Sequence, residues 1–337
     1  MSAHPSRIGV EIIGSGHCLP EGRLTNQDLE NCMDTTSDWI IQRTGITERR
    51  RADMDNGERT SQLSVKAMEM ALKDANIDAT ELDLLLVATM TPDSPTPSIG
   101  CLVADRIGAG HIGAMDINAA CSGYVYTMSI ADAMIRSGLY KTIGVIGADT
   151  ITRFIDYTTA GRGAAILFGD GAGAMVLRRS EKPTIGMVAH RMHSDGSGGK
   201  HLFIPASGLD FPEDMEFNED FINRVQMNGR AVFKFAVNKF QKVIADTLDD
   251  AGLSADDVDH FVCHQANLRI LDSARERFGI PEEKLLVNIN KYGNTVAGSV
   301  PLVFAELKES GKLKDGDKVM FLAFGAGLTW ASSLWQL

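Results

Sequence analysis

The chain has 337 residues, a formal net charge of −11, 44% hydrophobic and 23% charged side chains, and 33 glycines. That length supports two domains or two fused halves around a large core, and the composition is that of a globular α/β protein. The acidic balance argues against nucleic acid or an anionic membrane as the main partner, because both select a basic surface.

The longest apolar runs, such as Leu84–Met90, fall far short of the roughly 20 residues that span a bilayer, so no membrane insertion is expected. The opening "MSAHPSRIG" lacks the apolar core of a secretory signal. The cysteines Cys18, Cys32, Cys101, Cys121 and Cys263 are odd in number and form no CxxC pair. Neither a disulfide framework nor a metal cage is expected, and a reducing cytoplasm fits best.

In chain order, the first long element is an amphipathic helix with Val65, Met68, Leu72 and Ala75 at spacings of three and four. A short apolar strand follows in "LDLLLVAT". The same order returns much later, where Phe240, Ile244, Leu248 and Ala251 mark a helix and "VDHFVCHQ" a strand. Without a gap, "ALKDANIDATELDLLLVAT" (71–89) lies over "TLDDAGLSADDVDHFVCHQ" (247–265), with Leu, Asp, Ala, Ala and Asp recurring in register. Further on, "MDINAACSG" meets "LVNINKYGNT", which sets Gly293-Asn294 within one residue of Cys121-Ser122. The helices beyond end at Ser137-Gly138 and Ser310-Gly311. A repeat this long in fixed order indicates one unit used twice. The expected halves are residues 1–180, with Cys121, and 181–337, with His264 and Asn294. Equivalent strand ends would then converge and place all three in one pocket.

Cys121 in "DINAACSGY" sits where the pattern predicts a strand turning into a helix among small residues. A helix start there would aim its free amides and positive dipole end at the sulfur and lower the thiol pKa. Lone cysteines are more often buried packing residues, and Cys18, Cys32, Cys101 and Cys263 are read that way. His264 closes an apolar strand, and Asn294 stands in the turn "KYGNTVAGSVP", a usual place for asparagine. "AFGAGLTWASS" (323–333) is a glycine loop whose amides can receive an oxyanion. "FGDGAGAMVL" (168–177) runs into a strand rather than a helix, so it is not a dinucleotide fingerprint. The glycine- and proline-rich segment 193–217 is expected to shape a pocket wall.

These motifs together resemble the type III β-ketoacyl-[acyl-carrier-protein] synthases of the thiolase fold. "DINAACSGY", "HQANLRI", "GNTVAGSVP" and "AFGAGLTW" match the nucleophile, histidine, asparagine and closing-loop motifs, and "TTSDWIIQRTGITERR" and "GRGAAILFGDGAGA" also match. The resemblance runs from about Ile8 to Leu337. It implies a five-layered αβαβα fold from two duplicated halves, two five-stranded sheets and a homodimer. The implied reaction is a decarboxylating Claisen condensation of an acyl-CoA with malonyl-[acyl-carrier protein], initiating type II fatty-acid synthesis with no cofactor.

In that scheme Cys121 is the nucleophile, His264 and Asn294 steady the enolate, and the amides of Cys121 and Ala326 hold the oxyanion. Ala326 replaces the family's frequent glycine and keeps the backbone donor only with a negative φ. Thr35, Trp39, Arg43, Arg162, Phe233 and Asn267 would hold CoA and pantetheine. Lys234, Gln265, Ala266, Asn267, Leu268, Arg269, Arg275 and Arg277 would meet an acidic carrier protein. Thr96 stands where short-chain relatives carry a bulky aromatic that closes the acyl channel across the dimer, so a longer pocket is expected. A starter synthase or acyltransferase of a polyketide, quinolone or olefin pathway would use the same three side chains. A degradative thiolase would need a second cysteine in the final glycine loop, which "AFGAGLTW" lacks.

Overall fold

The computed structural model describes residues 8–213 and 215–337. Residues 1–7, most of the stretch read for a signal, lie outside them, as does Asp214.

The chain opens with β1 (Gly9–Cys18). A small hairpin follows, β2 (Arg23–Thr25) and β3 (Glu48–Arg50), enclosing α1 (Asn26–Glu30) and α2 (Ser37–Thr44). Next come α3 (Thr60–Ala75) and β4 (Leu84–Ala88), α4 (Ile99–Arg106) and β5 (Gly113–Ile117), and α5 (Gly123–Arg136) and β6 (Thr142–Asp149). The short α6 (Arg162–Ala165) precedes β7 (Gly171–Ser180) and β8 (Gly186–Ser194). An irregular stretch carries the two-residue strands β9 (Leu202–Phe203) and β10 (Gln226–Met227). The remainder is α7 (Gly229–Ala251), β11 (His260–Cys263), α8 (Leu268–Phe278), α9 (Ile289–Tyr292), α10 (Ser299–Glu309), β12 (Lys318–Gly325) and β13 (Thr329–Gln336).

One sheet runs β1-β7-β6-β4-β5 and the other β11-β12-β13-β8. The repeat is visible in detail. Helix α3 ends on Asn76 and α7 on Gly252, both left-handed, the usual way to satisfy the last carbonyls. A single 3₁₀ turn closed by a capping box then leads into β4 and into β11.

The second sheet has four strands where five were expected. The counterpart of β5 is reduced to one bridge, Leu285 to Phe261. The reason lies in Gln265, whose side-chain oxygen accepts the amides of Asn288 and Ile289 at 3.1 and 3.2 Å. Its side-chain nitrogen donates to Leu286 O at 3.4 Å. A side chain thereby takes over hydrogen bonds that a ladder would have supplied.

Helices α5 and α10 lie between the two sheets. Tyr124, Val125 and Met128 of α5 and Val300, Val303 and Phe304 of α10 pack in one core with Val145 and Met175 of one sheet and Phe321 and Trp335 of the other. Helices α3 and α4 cover the outer face of the first sheet, and α7 and α8 that of the second. This is the αβαβα order of layers. Each large apolar side chain sealed in the central layer contributes about 2 kcal/mol by leaving water.

Candidate active site

The central helices are entered by two matching elbows. Asn118 Oδ1 accepts the amide of Ala120 at 3.2 Å, and Asn294 Oδ1 accepts that of Val296 at 2.9 Å. Ala120 (φ 47°) and Val296 (φ 52°) are both left-handed, and each begins a single 3₁₀ turn leading into α5 or α10. For β-branched Val296 this backbone is a genuine strain, of a kind found at functional sites. The matching turns correct the register read from the sequence. Asn294 is the counterpart of Asn118, and Cys121 that of Ala297, because the turn of α9 adds residues to the second copy.

Cys121, His264 and Asn294 line one cavity, with Phe168, Phe233, Asn267, Phe324 and Gly325 also in its wall. A second, smaller chamber shares Cys121, Phe168 and Leu202 with the first. Its remaining wall is apolar: Met90, Ala120, Ile151, Phe203, Ile204, Val225, Val296 and Ala326. Cys121 therefore stands between a cavity with hydrogen-bonding groups and a greasy one. The segment 193–217 supplies Leu202, Phe203 and Ile204 to that wall, as its composition suggested.

Strand β12 delivers its last residues directly onto Cys121. A side chain at Gly325 would place its Cβ 2.8 Å from Cys121 N and 2.9 Å from Cys121 Cβ, so only glycine fits. Ala326 is not among the non-glycine residues with positive φ. Its backbone therefore meets the condition for keeping a donor in place of glycine. Thr329 Oγ1 donates to both Ala119 O and Ala326 O at 3.0 Å, tying the elbow to the glycine loop.

The expected low thiol pKa is not found. Cys121 is only 5% exposed, and burial, followed by the charge of nearby Asp149, pushes the thiol up. Cys121 is the middle residue of the 3₁₀ turn Ala120–Ser122, with Ser122 between it and α5, and the wall of the smaller chamber beside it is apolar. Burial thus favours the neutral thiol.

His264 is buried as well, and desolvation pulls its pKa down to about 3, so the ring is neutral near pH 7. Its Nδ1 lies 2.8 Å from Ser299 Oγ, its amide donates to Leu322 O at 2.7 Å, and the Phe324 ring packs edge-on at 5.4 Å. Its Nε2 is buried and has no partner. Asn294 is equally constrained. Its backbone is pinned to Leu167 and Gly169, and its oxygen is held by Val296. Its NH₂ group is the end left for the cavity.

Trp39 lies between two guanidinium groups, Arg43 at 4.7 Å and Arg162 at 4.8 Å from the ring centre. Arg162 also donates to Asp34 O, and Thr35 Oγ1 is buried without a partner beside it in the chain. Asn267 caps α8 by accepting from Arg269 N at 3.0 Å, while its nitrogen donates to Arg43 O at 3.0 Å. Arg269 lies 5.4 Å over Phe233.

Exposed Lys234 sits beside Phe233 on α7. Ala266 and Leu268 are half-buried, Arg277 donates to Gln241, and Arg275 pairs with Asp272 and Glu282. Gln265 is a correction: fully buried in the network that replaces the fifth strand, it cannot meet a carrier protein. Cys32 and Cys101 are exposed rather than packed, whereas Cys263 is core. Thr96 is exposed and lines neither cavity of this chain.

Two residues of the site escaped the sequence reading. Ser299 sat inside a quoted motif, and a polar residue opening an apolar helix was its only signal. Asp149 ends β6 fully buried, with Oδ1 accepting from Thr89, Met90 and Thr91 and Oδ2 from Ala297 N at 3.0 Å. It fastens the chamber-lining Met90 segment to the second elbow, and burial raises its pKa to about 6. Among the described residues, no three His, Cys, Asp or Glu side chains group as metal ligands, and no helix is long and apolar enough to cross a membrane.

Facing elbows between paired sheets, one bearing a thiol and the other hydrogen-bond donors, define a condensing enzyme of the thiolase fold. The family model described as 3-oxoacyl-[acyl-carrier-protein] synthase III matches residues 115–196, and the model of its C-terminal region matches 248–337. A β-ketoacyl-[acyl-carrier-protein] synthase III of Syntrophomonas wolfei is 45% identical over 325 residues, covering 96% of each chain. The crystal structure of 3-oxoacyl-[acyl-carrier-protein] synthase III from Aquifex aeolicus superposes with a TM-score of 0.89 at 40% identity, over 98% of this chain and 100% of that one. The Thermus thermophilus synthase III structure gives a TM-score of 0.90 at 39% identity, over 97% and 98%. The chain belongs to the β-ketoacyl-[acyl-carrier-protein] synthase III family.

Proposed function

We propose that this chain condenses an acyl-CoA with malonyl-[acyl-carrier protein], releasing CO₂ and CoA and giving the 3-oxoacyl-carrier protein that initiates type II fatty-acid synthesis. One observation carries the reading: the thiol of Cys121 shares a cavity with two neutral groups free to donate, His264 and the amide of Asn294.

In the first half-reaction Cys121 sulfur attacks the thioester carbonyl, and the amides of Cys121 and Ala326 receive the oxyanion. Collapse expels CoA, which leaves with the thiol's proton, and the acyl chain lies in the apolar chamber. Malonyl-carrier protein then enters the larger cavity. Loss of CO₂ leaves an enolate whose oxygen accepts hydrogen bonds from His264 and Asn294. A carboxylate in either place would repel that charge. The enolate carbon attacks the acyl-Cys121 carbonyl, and the Cys121 thiolate departs and takes up a proton. No step calls on a cofactor.

Trp39, Arg43, Arg162 and Thr35 hold the nucleotide end of CoA, with Phe233 and Asn267 along the pantetheine arm. Arg269 and Lys234, exposed near the mouth, offer positive charge to an acidic carrier protein, joined by Arg277 and less by the ion-paired Arg275. Residues 1–180 and 181–337 act as the two halves. The protein works as a cytoplasmic homodimer. Strand β5 pairs on one side only, and Met115 on it is 42% exposed, leaving an edge suited to pairing with a second copy. The exposed free thiols Cys32 and Cys101 suit a reducing compartment.

The test is to mix the protein with acyl-CoA and malonyl-carrier protein and weigh the product. A 3-oxoacyl-carrier protein that is lost in Cys121→Ala supports the reading. Undiminished product from Cys121→Ala, or none from the unaltered protein, defeats it.

A further inference from the structure

Ser299 opens α10 and is 1% exposed. Its Oγ accepts the amide proton of Gln265 at 2.9 Å and lies 2.8 Å from His264 Nδ1. No other partner of this hydroxyl occurs among the described residues. A serine hydroxyl carries one proton, and a buried donor without an acceptor is costly.

Two arrangements satisfy the 2.8 Å contact. If Nδ1 carried the imidazole proton and donated it, the hydroxyl proton would have no acceptor, and Nε2 would turn a bare lone pair toward the cavity. If Ser299 donates to Nδ1, both contacts of the Ser299 hydroxyl are used, and the one donor left over belongs to His264, which lines the cavity where a substrate oxygen can accept from it, whereas Ser299 does not line it. The ring proton then sits on Nε2, the nitrogen that has no protein partner.

We propose that Ser299 is a positioning residue that holds His264 in the Nε2–H tautomer, making the imidazole a hydrogen-bond donor rather than a base. The inference rests on the condensation reading above. It assigns the two half-reactions different needs. The enolate oxygen requires a donor at Nε2, and therefore Ser299. Acylation of Cys121 requires the oxyanion amides and a leaving CoA, and is indifferent to which ring nitrogen holds the proton. The second copy of the repeat supplies the device alone: Gly123 stands at the position matching Ser299 in the first copy, so the hydroxyl has no twin beside Cys121.

The first test needs no substitution. In protein labelled with ¹⁵N-histidine, the resonances absent from His264→Asn belong to His264. A bare Nδ1 and a protonated Nε2 at pH 7 are expected, and the reverse assignment overturns the proposal. The second test separates the half-reactions. Ser299→Ala should slow decarboxylation of malonyl-carrier protein by 10- to 100-fold while Cys121 acylation by acyl-CoA stays within about threefold. Ser299→Thr, which keeps the hydroxyl, should recover most of the loss. Decarboxylation at the unaltered rate in Ser299→Ala, or equal losses in both half-reactions, overturns it. Failure of the unaltered protein to decarboxylate malonyl-carrier protein would instead count against the condensation reading, and the tautomer would still be decided by resonance.

Discussion

Asn118 and Asn294 make the same contact in the two copies of the repeat, each accepting the amide two residues ahead, at 3.2 and 2.9 Å. In the second copy this fixes which end of the carboxamide faces the cavity. Asn294→Asp preserves the acceptor for Val296 and replaces the free NH₂ by an oxygen bearing negative charge. Decarboxylation should fall by about 10²–10³, the usual effect of removing one donor from such a site. Acylation of Cys121, followed by mass, should persist. If decarboxylation survives undiminished, the carboxamide is not a donor to the enolate.

The neutral His264 ring makes the fold sensitive to acid. Its pKa is about 3 when buried and near 6.5 when free, so below pH 6.5 the unfolded chain binds a proton that the folded one refuses. The stability this ring contributes is therefore complete above pH 6.5 and declines as pH falls toward 3, by about 1.4 kcal/mol per unit. Between pH 6.5 and 4.5 the unaltered protein should lose about 2–3 kcal/mol more than His264→Phe in urea unfolding. Parallel pH profiles for the two proteins would show that the ring is not held neutral.

Much of this was legible in the sequence because periodicity and order report on burial. Val65, Met68 and Leu72, and Phe240, Ile244 and Leu248, face the core as their spacing required. The glycine loop comes down on Cys121 through Gly325. What stayed hidden depends on single side chains meeting across the chain. The fifth strand of the second sheet, which the resemblance implied, is undone by Gln265 from another element. The repeat slips by the length of α9. The thiol pKa follows from how deeply the elbow is enclosed, and neighbours in sequence say nothing about that.

Burial of Cys121 also predicts a mismatch between reagents. At pH 7 a small alkylating agent such as iodoacetamide should modify the exposed Cys32 and Cys101 before Cys121, because burial keeps the Cys121 thiol protonated. Acyl-CoA should acylate Cys121 alone if the amides of Cys121 and Ala326 form the proposed oxyanion site. Peptide mapping after each treatment reads both. Fastest alkylation at Cys121, with a rate already level by pH 7, would mean a thiolate and would restore the helix-terminus argument.

Gly325 has no room for even one methyl group. Gly325→Ala would press Cβ to 2.8 Å from the Cys121 amide nitrogen, a backbone atom that cannot swing aside. The elbow must move, at a cost of about 1–3 kcal/mol, and the oxyanion amide moves with it. A lowered Tm together with at least a tenfold slower acylation of Cys121 is expected. An unchanged acylation rate would show that the glycine loop and the elbow are not geometrically coupled.

The chamber behind Cys121 sets the last expectation. It is apolar throughout, and no residue of the 91–98 segment lines it within one chain. Thr96 lies exposed on that segment, which leads into α4, whose Ile99 and Gly100 amides donate to Asp116 of β5, the one-sided edge where a second copy would pair. If the partner's Thr96 closes the chamber, its short side chain leaves room beyond an acetyl group. The protein should then turn over octanoyl-CoA at least as well as acetyl-CoA. Thr96→Phe should leave acetyl-CoA turnover within about twofold and cut that of octanoyl- and dodecanoyl-CoA at least tenfold, because a ring would fill the end of the chamber. The readout is kcat/KM for the three donors with each protein, alongside the oligomeric state by light scattering. A preference for acetyl-CoA alone in the unaltered protein, or an unchanged profile in a dimeric Thr96→Phe, removes Thr96 from the acyl path and leaves the limit on chain length to the wall formed by Leu202, Ile204 and Val225.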